Sequence, residues 1–187
     1  MVRWEPDSRG RLAKAALSLY GERGFDNTTV AEIAARAGLT ERTFFRHFAD
    51  KREVLFAGGD ELQQVLVDAV GAAPDSARPI DAIAAALAAA GGLLQERRQF
   101  ARERQKVIAA SAELRERELI KLAALSDALS EALRRRGVAG PAASLAAEVG
   151  IAVFRVGFER WTAEGGERDL STLFRESLEE LKAVTGG

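Results

Sequence analysis

The sequence predicts an all-α protein, with a small three-helix head and a larger helical body. Three observations carry this. Apolar residues recur at helical intervals, as at Leu12, Ala15, Ala16 and Leu19. Proline is scarce, 4 residues in 187, while alanine and leucine are abundant. No alternating β-branched run reaches strand length.

The elements follow in order, about nine helices in all. Arg9 to Arg23 reads as a first amphipathic helix, with Gly24 where a left-handed terminal residue is wanted and Phe25 ready to pack back. Thr29-Val30-Ala31-Glu32 fits a reciprocal capping box, and the short helix it opens ends at Gly38. Thr40 caps a third helix, Glu41 to His47. Asp50 and Glu53 cap a fourth starting at Lys51 and continuing through Leu62, Val65 and Leu66, with a kink allowed at Gly58-Gly59. Gly71 to Arg78 is a loop, and Pro79 opens the fifth helix, which Gly91-Gly92 is placed to interrupt. Phe100, Arg104 and Val107 lie on a charged sixth helix, and a seventh runs from about Glu113 to Arg136. Gly137 and Gly140-Pro141 break the chain before the last two helices, Ala142 to Glu164 and Leu170 to Ala183.

Composition narrows the function. There is no cysteine, hence no disulfide framework and no thiolate chemistry. His47 is the only histidine, so a multi-histidine metal site is excluded. No phosphate-cradling glycine loop or acid–base pair is legible from spacing, so neither an enzyme nor a cofactor is expected. The longest uncharged apolar run, Ala82 to Leu94, is shorter than a bilayer span, and no apolar stretch follows the charged N-terminus as a signal would. The expectation is a cytoplasmic protein without a membrane partner. The net charge of −1 hides an asymmetry: residues 1–52 hold 10 Lys/Arg against 7 Asp/Glu, and residues 53–187 hold 17 against 21. A basic head of +3 on a body of −4 fits nucleic-acid contact at one end and equally fits chance, so composition alone leaves both open.

Between Thr28 and Lys51, two short helices joined by Gly38-Leu39-Thr40 form a helix-turn-helix, whose second helix enters a DNA major groove. Ile33, Ala34, Ala37, Leu39, Phe44 and Phe48 are spaced to close a small core, leaving Thr40, Glu41, Arg42, Thr43 and Arg46 to point outward. The stretch Gly24 to Ala34, then Ala37-Gly38-Leu39-Thr40, then Thr43 to Lys51 resembles the tetracycline-repressor (TetR) family. That resemblance implies phosphate contacts for Thr29, Phe45, His47 and Lys51, and a base-reading surface around Thr40, Arg42, Thr43 and Arg46. Two positions depart from the family's commonest pattern. Arg42 stands where a small residue is usual, and Phe45 replaces a tyrosine and so loses its phenolic hydrogen bond. Arg3, Arg9 and Arg11 are divided evenly between a solvated face and DNA contact.

The resemblance assigns residues 1–52 to DNA binding and residues 53–187 to ligand binding and dimerisation. From Ala142 to Glu159 the helix is apolar around most of its circumference, with Ser144, Glu148, Arg155 and Glu159 as a polar stripe, so it needs cover on more than one side. A homodimer supplies that cover, through Val149, Val153, Phe154 and Phe158 with Phe174, Leu178 and Leu181 of the last helix. The other reading is a helix threaded through a single-chain core. Phe56, Leu62, Leu66, Ile83, Leu87, Phe100, Arg104, Val107, Ile108 and Leu122 are candidate lining residues for a small apolar effector. The arginine-rich sixth and seventh helices resemble a subgroup that accepts fatty acyl-CoA-like ligands, with Arg102, Arg104 and Lys106 to meet the phosphates of a long-chain acyl-CoA. Two functions stand: a ligand-responsive repressor acting on a palindromic operator in double-stranded DNA, and a helical interaction or small-molecule-binding module without sequence-specific DNA binding.

Overall fold

A computed structural model describes residues 7–163 and 168–186. Among them the chain forms nine α-helices and no strand: α1 Ser8–Arg23, α2 Val30–Arg36, α3 Glu41–His47, α4 Gly59–Ala72, α5 Pro79–Gln95, α6 Arg98–Ala110, α7 Ala112–Arg135, α8 Gly140–Ala163 and α9 Leu170–Thr185. The largest departure from expectation is in α4, which does not start at Lys51. A 3-10 turn, Glu53–Phe56, takes its place, and the α-helix begins only at Gly59. Arg52, not Asp50, is the N-cap of that turn, although Asp50 Oδ1 accepts from the N–H of Arg52 at 2.8 Å and of Glu53 at 3.3 Å. The packing divides the chain into two compact units, one of residues up to Gly59 with Glu103–Glu118, the other of Asp60–Arg102 with the residues from Leu119 onward.

The first unit is closed by Leu12, Leu19, Ile33 and Phe44, all fully buried. Each such burial stabilises by about 1.5–3 kcal/mol. The capping box of α2 is present: Thr29 Oγ1 accepts from Glu32 N–H at 3.3 Å, and Glu32 Oε2 accepts from Thr29 N–H at 2.9 Å. The helix ends in a Schellman turn, with Leu39 N–H donating to Ala34 C=O at 2.8 Å and Gly38 N–H to Ala35 C=O at 3.0 Å. That turn needs positive φ at Gly38, observed at 66°, a conformation glycine adopts without cost. Gly24 also has positive φ, but its ψ of 158° is extended rather than left-handed. The elbow joining α6 to α7 belongs to this unit, where Ile108 and Leu114 are buried.

The second unit packs α5, α8 and α9 on one another. Its core includes Leu66, Ile83, Leu87, Leu129, Leu133, Val153, Phe154, Trp161, Leu173 and Phe174. Pro79 opens α5 as expected, but Gly91-Gly92 does not interrupt it. A Cβ on Gly91 would lie 2.8 Å from the backbone nitrogen of Ser171, so this glycine is where α9 crosses closest to α5. Arg136 closes the α4–α5 loop by donating to the carbonyls of Ala73 and Pro74, both at 2.6 Å. By length and composition α8 is apolar enough to cross a bilayer, contrary to the expectation from uncharged runs alone. It is a core helix: Ala143, Ala147, Gly150, Ile151, Val153, Phe154, Gly157 and Trp161 are buried within the unit.

Candidate nucleic-acid interface

Helices α2 and α3, with the Gly38 turn between them, present the candidate surface. Phe44 and Phe48 anchor α3 inward at 0% and 4% exposure, which turns Arg42, Phe45 and Arg46 out to solvent. Phe45 is 55% exposed despite being a phenylalanine, an apolar ring offered on the outer face. Among the described residues neither Arg42 nor Arg46 has an ion-pair partner. Elsewhere in this unit arginines are engaged, Arg23 with Glu32 at 2.8 Å and Arg36 with Glu22 at 2.9 Å. The latter pairing, with a hydrogen bond from Ser18, holds the Glu22 carboxyl down at about 2.

Several candidate residues are engaged within the chain, Thr40 and Thr29 as the caps the sequence predicts, Lys51 and Arg11 through partners it did not show. Thr40 is the N-cap of α3, its Oγ1 accepting from Thr43 N–H at 3.2 Å and lying 3.1 Å from Thr43 Oγ1. The two hydroxyls are therefore shared between them. The Thr29 hydroxyl donates to Glu32 at 3.0 Å. The Lys51 ammonium donates to the carbonyls of Phe25 at 2.9 Å and Thr28 at 3.1 Å, and sits 4.2 Å from the centre of the Phe25 ring. Its own carbonyl accepts from the Tyr20 hydroxyl at 2.6 Å, and burial pushes that phenol's pKa up. His47 is half-buried, with a buried Nε2 that has no hydrogen-bond partner. Burial lowers its pKa, and the cations Arg46 and Arg9 lower it further. Arg11 donates to the Ala37 carbonyl at 2.5 Å, while the Arg9 guanidinium lies 5.5 Å from the Phe48 ring centre. Arg3 lies outside the described residues.

The candidate ligand residues fall in both units. Phe56, Arg104, Val107 and Ile108 belong to the first; Leu62, Leu66, Ile83, Leu87, Phe100 and Leu122 belong to the second, where Leu66, Ile83 and Leu87 are closed core. Arg104 is engaged, donating to the Leu55 carbonyl at 2.8 Å and pairing with Glu118 at 3.3 Å. Lys106 pairs with Glu103 at 3.0 Å, and Arg102 has no ion-pair partner among the described residues. Of the residues expected at a dimer interface, Val153, Phe154, Phe174 and Leu178 are buried in the chain's own core. Val149, Phe158 and Leu181 are half-buried against that core. The apolar face that α8 leaves uncovered is a different one: Leu145 at 69% exposure, Ala152, and Val156 at 46%. With Val149 these residues step by 4, 3 and 4 along the helix, a single stripe.

A helix-turn-helix head joined to an all-helical body is the architecture of a one-component DNA-binding regulator. Residues 12–57 match the bacterial regulatory proteins of the tetR family, and residues 77–186, more than half the chain, match the MftR C-terminal domain. The chain belongs to the TetR family. It is similar to the regulator TcmR of Streptomyces glaucescens, 33% identical over 89 residues, a stretch covering 48% of this chain and 39% of that relative. It therefore spans well under half the length of that protein. Among solved structures, Thermus thermophilus FadR, a TetR-family repressor in complex with lauroyl-CoA, is 25% identical with a TM-score of 0.56, covering 92% of each chain. SmeT, the repressor of the Stenotrophomonas maltophilia efflux pump SmeDEF, in its triclosan complex is 25% identical with a TM-score of 0.66, covering 94% of this chain and 90% of that one.

Proposed function

We propose that this chain is a cytoplasmic, ligand-responsive transcriptional repressor that binds a palindromic operator as a homodimer and is released by an apolar small molecule. The observation carrying this reading is the pair of arginines on α3, Arg42 and Arg46, exposed and without an ion-pair partner among the described residues, beside an exposed Phe45. Exposed guanidiniums one helical turn apart suit base edges and phosphates, and the turn before them is the kind that precedes a major-groove helix. Thr29, Thr40, Thr43, Phe45, His47 and Lys51 complete the proposed surface. Lys51 has two of its three N–H donors on carbonyls, so it contributes one donor to a phosphate and anchors the loop before α2. The division of tasks proposed is residues 1–52 for DNA and 53–187 for ligand and dimerisation. The α8 stripe of Leu145, Val149, Ala152 and Val156 supports the homodimer, since an uncovered apolar seam at helical spacing fits a second copy of itself.

The complexes of FadR with lauroyl-CoA and of SmeT with triclosan support an apolar effector. Long-chain acyl-CoA is the first class to test. The deciding experiment is fluorescence anisotropy of the full chain against DNA selected from a random pool. Enrichment of a two-fold-symmetric sequence, bound by one dimer with half-sites about one helical turn apart, is the expected result. Binding that follows ionic strength alone, with no sequence enriched, favours the module that lacks specific DNA binding.

A further inference from the structure

The first unit contains a charged cluster that the proposed DNA surface does not use. The Arg104 side chain is 16% exposed and that of its partner Glu118 is 23% exposed. Arg104 Nε donates to the Leu55 carbonyl at 2.8 Å, and its guanidinium lies 4.7 Å from the centre of the Phe56 ring. Burial drives its pKa down, and Glu118 acts in the opposite sense. Two further pairs flank it, the partly buried Arg117 with Glu53 and the exposed Arg52 with Glu113 at 3.5 Å. The elbow between α6 and α7 thus grips the 3-10 turn by a backbone carbonyl, an aromatic face and two acid–base pairs. Enclosing a guanidinium costs solvation that an apolar side chain of similar volume would not forfeit. What an apolar residue cannot supply is a donor to the Leu55 carbonyl.

The same segment is tied at its other end to the helix-turn-helix. Tyr20 donates to the Lys51 carbonyl at 2.6 Å, and the Lys51 ammonium holds the carbonyls of Phe25 and Thr28. Thr28 adjoins Thr29, the N-cap of α2. Contacts therefore run from Glu118 through Arg104 to Leu55 and Phe56, along the backbone to Lys51, and on to the start of α2.

We infer that Arg104 and Glu118 are positioning residues for DNA binding, which fix residues 51–56 and through them the start of α2. This rests on the DNA-binding reading above. The test compares the full wild-type chain with the double variant Arg104→Met/Glu118→Leu on the duplex that the wild type selects from random DNA. Replacing a buried ion pair by apolar side chains commonly leaves stability intact. The expected result is a thermal midpoint near that of the wild type, operator affinity lower by roughly tenfold, and faster amide exchange at residues 51–56. Wild-type affinity and exchange in a folded double variant overturn the inference while leaving the DNA-binding reading standing. If the double variant fails to fold, amide exchange of the wild type with and without that duplex decides. Protection that extends from α2 and α3 into residues 51–56 and 103–118 supports the inference, and protection ending at α3 overturns it. A wild-type chain that selects no sequence overturns the DNA-binding reading, and this inference with it.

Discussion

His47 holds a buried Nε2 without a partner, next to two cations that with burial keep its imidazole below the ordinary value of 6.5. The fold favours the neutral ring, so stability from this group is complete above 6.5 and is lost as pH falls through the depressed folded value. A DNA phosphate brought against the exposed edge of the imidazole would reverse that preference, and binding would then take up a proton. Operator affinity is expected to rise as pH falls from 8 to 6, by up to about tenfold per unit. His47→Gln should flatten it; a flat wild-type profile counts against the phosphate contact. Arg42 and Lys51 are expected to fail differently. Arg42→Ala removes a free guanidinium and should relax preference at one base pair by about 1–3 kcal/mol in a selection experiment. Lys51→Met releases the Phe25 and Thr28 carbonyls as well as a charge, so it should lower the thermal midpoint and weaken specific and random DNA alike. An unchanged midpoint would mean that the carbonyl anchors are dispensable. Much of this surface was legible in sequence, because a seven-residue helix between a threonine cap and buried phenylalanines leaves few outward positions. The anchors of Lys51 were not. Its acceptors lie 26 and 23 residues away, and helical periodicity carries no information about such pairings.

At the scale of elements, α8 shows where periodicity informs and where it stops. An all-round apolar helix signals cover on two sides, but not which side its own chain supplies. Here the chain buries Val153, Phe154 and Trp161, and α9 turns Leu173, Phe174 and Leu178 onto the same core. The outer face of α9 carries Arg175, Glu176, Glu179 and Glu180, which line a shallow groove. Charge substitution separates the two faces. Leu145→Glu with Val156→Glu puts carboxylates on the exposed stripe and should yield a folded monomer by sedimentation, with helical circular dichroism retained. Phe154→Glu or Val153→Glu buries an unpaired charge and should unfold the second unit instead. A double stripe variant that stays dimeric at micromolar concentration would move the interface elsewhere on the chain. The 3-10 turn at Glu53–Phe56 was hidden for a related reason. Asp50 reads as a helix cap and does accept from the N–H of Arg52, yet the carbonyl of Leu55 is taken by Arg104 from 49 residues away, a tertiary bond that no local signal foretells.

For the whole molecule, the proposed release from DNA would require an effector that binds far better to the DNA-incompetent state; a coupling of 1–3 kcal/mol gives about 5- to 150-fold. Linkage makes this reciprocal, so operator DNA must weaken effector binding by the same factor. The second unit packs Leu62, Leu66, Ile83, Leu87 and Leu122 into an apolar interior, and an effector that opens this interior needs no charge there. The headgroup of an acyl-CoA does need one. Arg104 is committed to Leu55 and Glu118, and Lys106 to Glu103, which leaves Arg102, in the same unit as that interior and without an ion-pair partner among the described residues. Arg102→Ala is therefore expected to weaken a long-chain acyl-CoA by about ten- to a hundredfold, the loss of one charge-assisted contact, and to leave a neutral lipophilic compound such as triclosan unaffected. Calorimetric titration of both ligands into wild type and variant, with and without operator, measures the headgroup contact and the coupling together. Equal binding of both ligands in the presence and absence of operator makes this body a dimerisation scaffold. A coupling shown by triclosan but not by acyl-CoA keeps the sensor and excludes the charged headgroup.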